Sequence, residues 1–143
     1  MFAKVMSAAL LLAATAAVPA PPAPALADGQ AQWARQCKDW DEWDKPGPPF
    51  RIYGNTWYVG TCRISAILIT AEKAHILIDG GPADAGGLVA ANIEKLGFKL
   101  TDVKFLLHTH EHSDHAGGLA ELQRRTGGYL LASAAAAPVV MAA

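Results

Sequence analysis

The sequence predicts an α/β fold in which helices cover a mixed β-sheet. Short apolar runs rich in β-branched and aromatic residues recur along residues 51–132, and the later runs alternate with segments of helical periodicity. The early runs are joined by tight polar turns, which is typical of antiparallel hairpins. Strands that are separated by helices are typical of parallel pairing, so we expect both strand orientations in one sheet.

The length and the charge of the chain limit the classes of function to consider. Its 143 residues suffice for one domain and hardly more. The formal net charge is −1, so neither a nucleic-acid-binding surface nor an acidic tail is indicated, and the charge gives no information on partners. The composition gives no information on the oligomeric state.

The start of the chain has the pattern of a secretory signal peptide over residues 1–27. Lys4 precedes an uncharged apolar run over residues 5–18, and Ala25-Leu26-Ala27 matches the small-residue cleavage pattern. We expect cleavage after Ala27, export to the periplasm or the exterior, and a mature chain that is free of the membrane. An uncleaved membrane anchor is the alternative interpretation.

Residues 28–49 are predicted to form an irregular arm, rich in tryptophan and proline, that lies over the core. The only two cysteines, Cys37 and Cys62, both lie in the exported part of the chain. Export implies an oxidising compartment, in which an even pair of cysteines usually bridges. No C-x-x-C redox motif is present, and we expect a Cys37–Cys62 disulfide; a metal site formed by the two cysteines is the less favoured alternative.

The domain proper is expected over residues 50–143 and begins with strands. Residues 51–59 are rich in strand-forming residues, and Gly54-Asn55 is the expected turn within them. Residues 64–70 and 75–79 are apolar runs on either side of a polar turn, which predicts a β-hairpin. His75 opens the second of these strands, where an ordinary strand-edge histidine is the favoured interpretation.

Helices and further strands follow in alternation. After Gly80-Gly81-Pro82, Asp84 is expected to cap a helix that ends at Gly97. Residues 103–107 predict a short buried strand. A second amphipathic helix over residues 117–126 is then expected to bury Leu119 and Leu122, before a strand over residues 129–132 and a third helix capped by Ser133.

The stretch between residues 108 and 118, HTHEHSDHAGG, holds four of the five histidines of the chain. Residues i and i+2 of an extended segment point the same way, so a His-x-His pair can hold one metal ion. Starting at His110, the residues His110, His112, Asp114 and His115 complete the pattern H-x-H-x-D-H. Starting at His108, a histidine occupies the position that the aspartate should have.

The register that begins at His110 is therefore favoured, and His108 and Glu111 are expected to lie outside the ligand set. Histidine nitrogen and aspartate oxygen are both good ligands for Zn²⁺. Gly117 and Gly118 would let the backbone approach the site closely. The competing interpretation is a polar loop with surplus histidines.

At this point the chain resembles the metallo-β-lactamase superfamily. The resemblance is carried by the H-x-H-x-D-H motif, its position after Phe105-Leu106-Leu107, and the upstream run over residues 77–81, LIDGG. The stretches over residues 52–61, 64–69 and 119–127 are similar to the secreted B3 subclass. The resemblance covers residues 50–139, and it implies an αββα sandwich of two sheets between two helical layers.

The resemblance also implies roles for the residues of the motif. His110 and His112 correspond to ligands of a first zinc ion, and Asp114 and His115 to ligands of a second. The implied reaction is hydrolysis of the β-lactam amide by a metal-bound hydroxide, with Asp114 orienting the water as the catalytic residue. Asp79 looks like an aspartate that supports the ligands from behind, and a turn cap is an equally open interpretation.

The chain departs from the family in its length, since family members run to roughly twice as many residues. No histidine follows His115, so the residues expected to complete both zinc sites are absent. We therefore expect the N-terminal half of the sandwich, truncated and inactive alone. The alternatives are a lactonase or thioester hydrolase of the same fold, and a non-catalytic truncated product.

Overall fold

The structure of the protein, a computed structural model, describes residues 24–72 and 74–141. The predicted signal peptide thus lies almost entirely outside the described residues, and its cleavage stays a prediction. Among the residues that are described, no helix combines the length and the apolarity that a membrane crossing requires.

Six strands and five α-helices make up the described part of the chain. The strands are β1 (Phe50–Tyr53), β2 (Thr56–Tyr58), β3 (Ile67–Ile69), β4 (His75–Ile78), β5 (Val103–Leu107) and β6 (Tyr129–Leu130). The helices are α1 (Pro24–Gln36), α2 (Gly86–Lys95), α3 (Ser113–Ala116), α4 (Leu119–Thr126) and α5 (Ala137–Val140). Single 3-10 turns lie before α2 and before β5.

All six strands belong to one mixed sheet, and they lie side by side in chain order. Strands β1 to β4 are antiparallel, whereas β5 and β6 extend the sheet in parallel. Gly54, with a φ of 52°, lies in the turn between β1 and β2, as the sequence predicts. The predicted mixed sheet covered by helices is confirmed, and the parallel pairing brings the ends of β4 and β5 to one edge.

Helices α2 and α4 pack on one face of the sheet and form the hydrophobic core with it. Leu68, Leu77 and Leu106 lie side by side on adjacent strands and are fully buried. Leu119 and Leu122 on α4 are also fully buried, as the helical spacing predicts. This packing fixes β4 and β5, and therefore the loops that leave their carboxyl ends.

Helix α1 lies against the end of the sheet formed by β1 and β2, and it corrects the prediction of an irregular arm over residues 28–49. Trp33 contacts Phe50 and Tyr58 edge to face, at centroid distances of 6.3 and 5.8 Å. Residues 30–36 are without proline or glycine, and this half-buried tryptophan gives the helix an apolar contact. Only residues 37–49 are irregular.

Three predicted helix starts also differ from the structure. Ser133 does not cap the third helix, because a turn follows it and Ala136 occupies the N-cap of α5. Asp84 does not cap α2: it lies within the preceding 3-10 turn, and Ala85, which offers no capping side chain, occupies the N-cap. The helix predicted over residues 117–126 is divided, because α3 already begins at Ser113 inside the histidine motif and α4 begins at Leu119. The loop over residues 108–118, which we call the histidine loop, is therefore partly helical rather than extended throughout.

The irregular segment over residues 37–49 is anchored to the domain by several contacts, among them a disulfide and a hydrogen bond from a core helix. Cys37 and Cys62 form a disulfide with a Cα separation of 5.0 Å, so the predicted bridge is confirmed. The buried amide of Asn92 on α2 donates hydrogen bonds to the carbonyl oxygens of Gly47 and Val59, at 3.1 and 3.0 Å. The arm is thus held against both the strands and a core helix.

Loss of the disulfide is expected to destabilise the protein. The bridge closes a loop with a sequence separation of 25 residues. Constraint of the unfolded chain by a loop of this size is worth about 3 kcal/mol. Replacing both cysteines by alanine should lower the free energy of unfolding by about that amount, measured by urea denaturation. Equal stability of the oxidised and reduced wild-type protein would contradict this prediction.

His75 is expected to make stability depend on pH. The side chain is buried against Phe98 at a ring distance of 5.3 Å, and its Nδ1 accepts a hydrogen bond from the Ala71 N–H. Burial lowers the pKa of His75, and the Asp102 carboxylate opposes this shift. The unfolded chain therefore binds a proton first as the pH falls, so stability present above the unfolded pKa of about 6.5 is lost below it.

The measurement is the free energy of unfolding of the wild type and of His75→Gln across this pH range. The wild type should lose at most about 1.4 kcal/mol per pH unit more than the variant as the pH falls. Identical slopes would show that His75 contributes nothing to the pH dependence.

Candidate metal centre

The candidate centre lies at the edge of the sheet where the parallel strands β4 and β5 end. Asp79 directly follows β4, and the histidine loop directly follows β5. The Asp79 N–H donates to the Leu107 carbonyl oxygen at 2.9 Å, which joins the two strand ends. The carboxyl edge of parallel strands is the usual location of binding sites in α/β sheets.

His110, His112 and Asp114 converge at this edge. Each offers one potential ligand atom, and the three atoms all lie within 4.8 Å of one another. The imidazole rings of His110 and His112 are 4.6 Å apart. His112 is exposed while His110 and Asp114 are half-buried, so the group is open to solvent on one side.

His115 lies beside this group and is attached to Asp79. Its ring centroid is 4.3 Å from that of His110. Its Nδ1 is 2.9 Å from Asp79 Oδ2, and its Nε2 is 3.5 Å from Asp114 Oδ2. If Nδ1 donates to the Asp79 carboxylate, Nε2 keeps its lone pair on the side of Asp114.

Asp79 is buried and makes three hydrogen bonds to the histidine loop. Its Oδ1 accepts from the Thr109 N–H at 2.7 Å, and its Oδ2 accepts from the Thr109 hydroxyl at 2.8 Å and contacts His115 Nδ1. Its φ is 64°, a left-handed conformation that aspartate adopts more readily than most residues. The Asp79 side chain thus binds the histidine loop directly. It is therefore not merely a cap of the turn at the end of β4.

The two residues that the sequence excluded from the ligand set lie outside the converging group. His108 Nδ1 is buried without a hydrogen-bond partner among the described residues, and Glu111 is exposed. Thr109, by contrast, was missed by the sequence analysis. Its signal was a hydroxyl residue directly before the His-x-His pair, and its partner Asp79 lies 30 residues away.

Glycines let the histidine loop lie directly on the segment after β4. The Gly80 N–H donates to the His115 carbonyl oxygen at 2.8 Å, and the Gly118 N–H donates to the Gly81 carbonyl oxygen at 3.0 Å. A Cβ atom on Gly118 would lie 2.2 Å from the Gly80 carbonyl oxygen. No side chain fits there, which explains the glycine at residue 118 in physical terms.

The donor set fits zinc. Two imidazoles and a carboxylate within 4.8 Å of one another are borderline nitrogen and hard oxygen ligands, a combination typical of Zn²⁺ sites. The metal-ligand roles of His110, His112, Asp114 and His115 stay predictions.

A mixed α/β sheet with a His/Asp group at the ends of its parallel strands defines the protein as a candidate metalloprotein. The family model of the metallo-beta-lactamase superfamily matches residues 59–139, which is more than half of the chain, and the chain belongs to this superfamily. The resemblance seen in the motif residues is thereby confirmed.

Solved structures narrow the similarity further. The metallo-beta-lactamase MIM-2 is 58% identical with a TM-score of 0.74, over 78% of this chain and 42% of that one. MEM-A1, a subclass B3 metallo-beta-lactamase isolated from a soil metagenome library, is 49% identical with a TM-score of 0.67, over 68% and 37% of the two chains. The chain therefore spans about two fifths of the length of these solved relatives.

A relative with a different described activity also matches over a short stretch. A hydroxyacylglutathione hydrolase of Rhodopseudomonas palustris (strain BisB5) is 52% identical over 42 residues, covering 29% of this chain and 15% of that protein. This match is much shorter than the structural matches to metallo-beta-lactamases.

Proposed function

We propose that the protein is a zinc-dependent hydrolase that opens the amide bond of β-lactams. The observation that carries the proposal is the convergence of His110, His112 and Asp114 in a chain that is 58% identical to MIM-2 over 78% of its own length. The substrate in this proposal is a small molecule, and its hydrolysis would protect a cell from β-lactam antibiotics.

Two zinc ions are expected, and the loop divides its ligands between them. His110 and His112 would hold the first ion, and Asp114 and His115 the second. A catalytic zinc ion usually has three protein ligands and one water. Each ion therefore needs a further protein ligand from outside the histidine loop.

A bound zinc ion would lower the pKa of water to about 7 and polarise the substrate carbonyl. The residues of the chain would orient the reactants around it. Asp114, half-buried beside His110 and His112, has carboxylate oxygens available to accept a hydrogen bond from the attacking water. Asp79, behind the loop, would hold His115 directly, and Thr109, within the loop, would contact His110.

A thioester hydrolase is the second candidate, and the match to the hydroxyacylglutathione hydrolase of R. palustris favours it. The two candidates differ in the bond that is cleaved. The complete gene product, loaded with zinc, should therefore be assayed in parallel on nitrocefin and on S-lactoylglutathione. The proposal expects nitrocefin turnover with a kcat of about 1–10³ s⁻¹. Efficient hydrolysis of the thioester without nitrocefin turnover would replace the proposal by the second candidate.

We also propose that the protein is exported. The support is the sequence pattern of Lys4, the apolar run and Ala25-Leu26-Ala27. Mass spectrometry of the periplasmic fraction of an expressing bacterium should find a mature chain that begins at Asp28. A chain in that fraction that still begins at Met1 would contradict the cleavage.

A further inference from the structure

We propose that Thr109 is a positioning residue through which Asp79, which contacts His115 directly, also orients His110. Through these contacts the buried Asp79 carboxylate would determine which ring nitrogen carries the hydrogen in His110 and in His115, which are proposed ligands of different zinc ions. The inference rests on the proposed function for the assignment of the two histidines to zinc ions.

Thr109 is fixed to Asp79 through both its backbone and its side chain. The N–H donates to Asp79 Oδ1 at 2.7 Å, and the hydroxyl lies 2.8 Å from Asp79 Oδ2. A carboxylate only accepts hydrogen bonds, so the single hydroxyl hydrogen of Thr109 points to Asp79. The hydroxyl oxygen then has only acceptor capacity left for its other neighbour.

That other neighbour is Nδ1 of His110, at 3.1 Å from the Thr109 hydroxyl oxygen. Since this oxygen can only accept there, His110 Nδ1 must carry the hydrogen. A neutral imidazole has one N–H, so the lone pair of His110 is on Nε2. Thr109 thus leaves His110 with a single nitrogen that can bind a metal ion.

His115 reaches the same state by a direct bond. Its Nδ1 lies 2.9 Å from Asp79 Oδ2, the oxygen that also accepts from the Thr109 hydroxyl. Orientation of a ligand histidine by a carboxylate on its other nitrogen is a common device in metal sites. Here one oxygen atom of Asp79 serves both histidines, directly for His115 and through Thr109 for His110.

The arrangement predicts a selective effect. Removing the Thr109 hydroxyl breaks the path to His110, while the Asp79–His115 contact and the backbone bond to Asp79 Oδ1 stay intact. The informative variant is Thr109→Val, which keeps the branched shape without the hydroxyl. Thr109→Ser keeps the hydroxyl and is the matched control.

The direct readout is long-range ¹H–¹⁵N correlation of the imidazole rings in the metal-free complete gene product, at about pH 8, where ordinary imidazoles are neutral. The wild type and Thr109→Ser should show the hydrogen on Nδ1 of both His110 and His115. Thr109→Val should lose this preference at His110 and keep it at His115, whose unchanged signal also reports that the site is folded.

Zinc titration is the second readout. Thr109→Val should bind the zinc ion held by His110 about 10–100-fold more weakly, and Thr109→Ser should restore the affinity. A wild-type His110 with its hydrogen on Nε2 would overturn the inference without any variant. An equal change at His110 and His115 in Thr109→Val would also overturn it, because the effect would then be a general loss of structure.

These outcomes are separate from those of the nitrocefin assay. If the tautomers and zinc affinities behave as described but nitrocefin is not hydrolysed, the proposed substrate is wrong and the role of Thr109 stands. If nitrocefin is hydrolysed and Thr109→Val leaves His110 unchanged, the proposed substrate stands and the proposed role of Thr109 is wrong.

Discussion

Replacing Asp114 by alanine is expected to reduce nitrocefin turnover by about 10²–10⁴-fold, the range typical of a lost acid–base group. The half-buried carboxylate belongs to the converging group with His110 and His112, and its Oδ2 lies 3.5 Å from His115 Nε2. The substitution removes a proposed ligand and the proposed acceptor of the hydrogen bond from water. Steady-state kinetics of the complete gene product at saturating zinc measure the loss.

Glu111→Ala is the matched control for this prediction. Glu111 is an exposed carboxylate in the same loop, outside the converging group, and its removal changes the formal charge of the loop by the same amount. We expect turnover close to that of the wild type. If Glu111→Ala is as slow as Asp114→Ala, the loss reflects the charge of the loop and the assignment of Asp114 fails.

Asp79→Asn is expected to weaken zinc binding by about 10–100-fold, as loss of a group that supports metal ligands usually does. Asparagine keeps the size of the side chain and tolerates the φ of 64°, so we expect the backbone conformation at residue 79 to stay the same. It offers only one acceptor oxygen to the three hydrogen bonds from Thr109 and His115. One hydrogen-bond donor of Thr109 or His115 is then left without an acceptor beside the buried side-chain amide at residue 79.

The same substitution should lower the free energy of unfolding by about 1–3 kcal/mol, the usual penalty for an unsatisfied buried polar group. Calorimetric zinc titration and urea denaturation measure the two effects on one sample. Asp84→Asn, at an exposed aspartate after the same strand, is the control and should change neither quantity. Wild-type zinc affinity in Asp79→Asn would show that Asp79 is only a turn residue.

The strands of the core were predictable because each buried strand appears in the sequence as a short apolar run. Strand β5 has the predicted bounds, since Val103 and Leu106 are fully buried and polar residues flank the run on both sides. The turn at Gly54 and the end of a helix at Gly97 were equally predictable, because both glycines have positive φ values.

The helices that the sequence analysis missed or misplaced depend on contacts between distant residues. The apolar contact of helix α1 is Trp33, which packs on Phe50 of β1 and Tyr58 of β2, later in the chain. The start of α2 was wrong because Asp84 is drawn into a 3-10 turn instead of the N-cap. Local propensity does not contain this information.

The residues of the candidate site were predictable from the sequence, but the hydrogen bonds among them were not. The H-x-H-x-D-H spacing singles out His110, His112, Asp114 and His115, and the structure brings their side chains together at one edge of the sheet. The bonds that join Thr109 and His115 to Asp79 span 30 and 36 residues. They exist because β4 and β5 run parallel, so that their ends meet.

The position of zinc in the folded protein tests the proposed metal ligands most directly. Crystals of the complete gene product grown with zinc should be measured on both sides of the zinc absorption edge, so that anomalous density identifies the metal. We expect one zinc ion bound by His110 and His112 and a second bound by Asp114 and His115, with Asp79 behind His115 and no contact from His108. Zinc ligated by His108, or a histidine loop without zinc, would contradict this expectation.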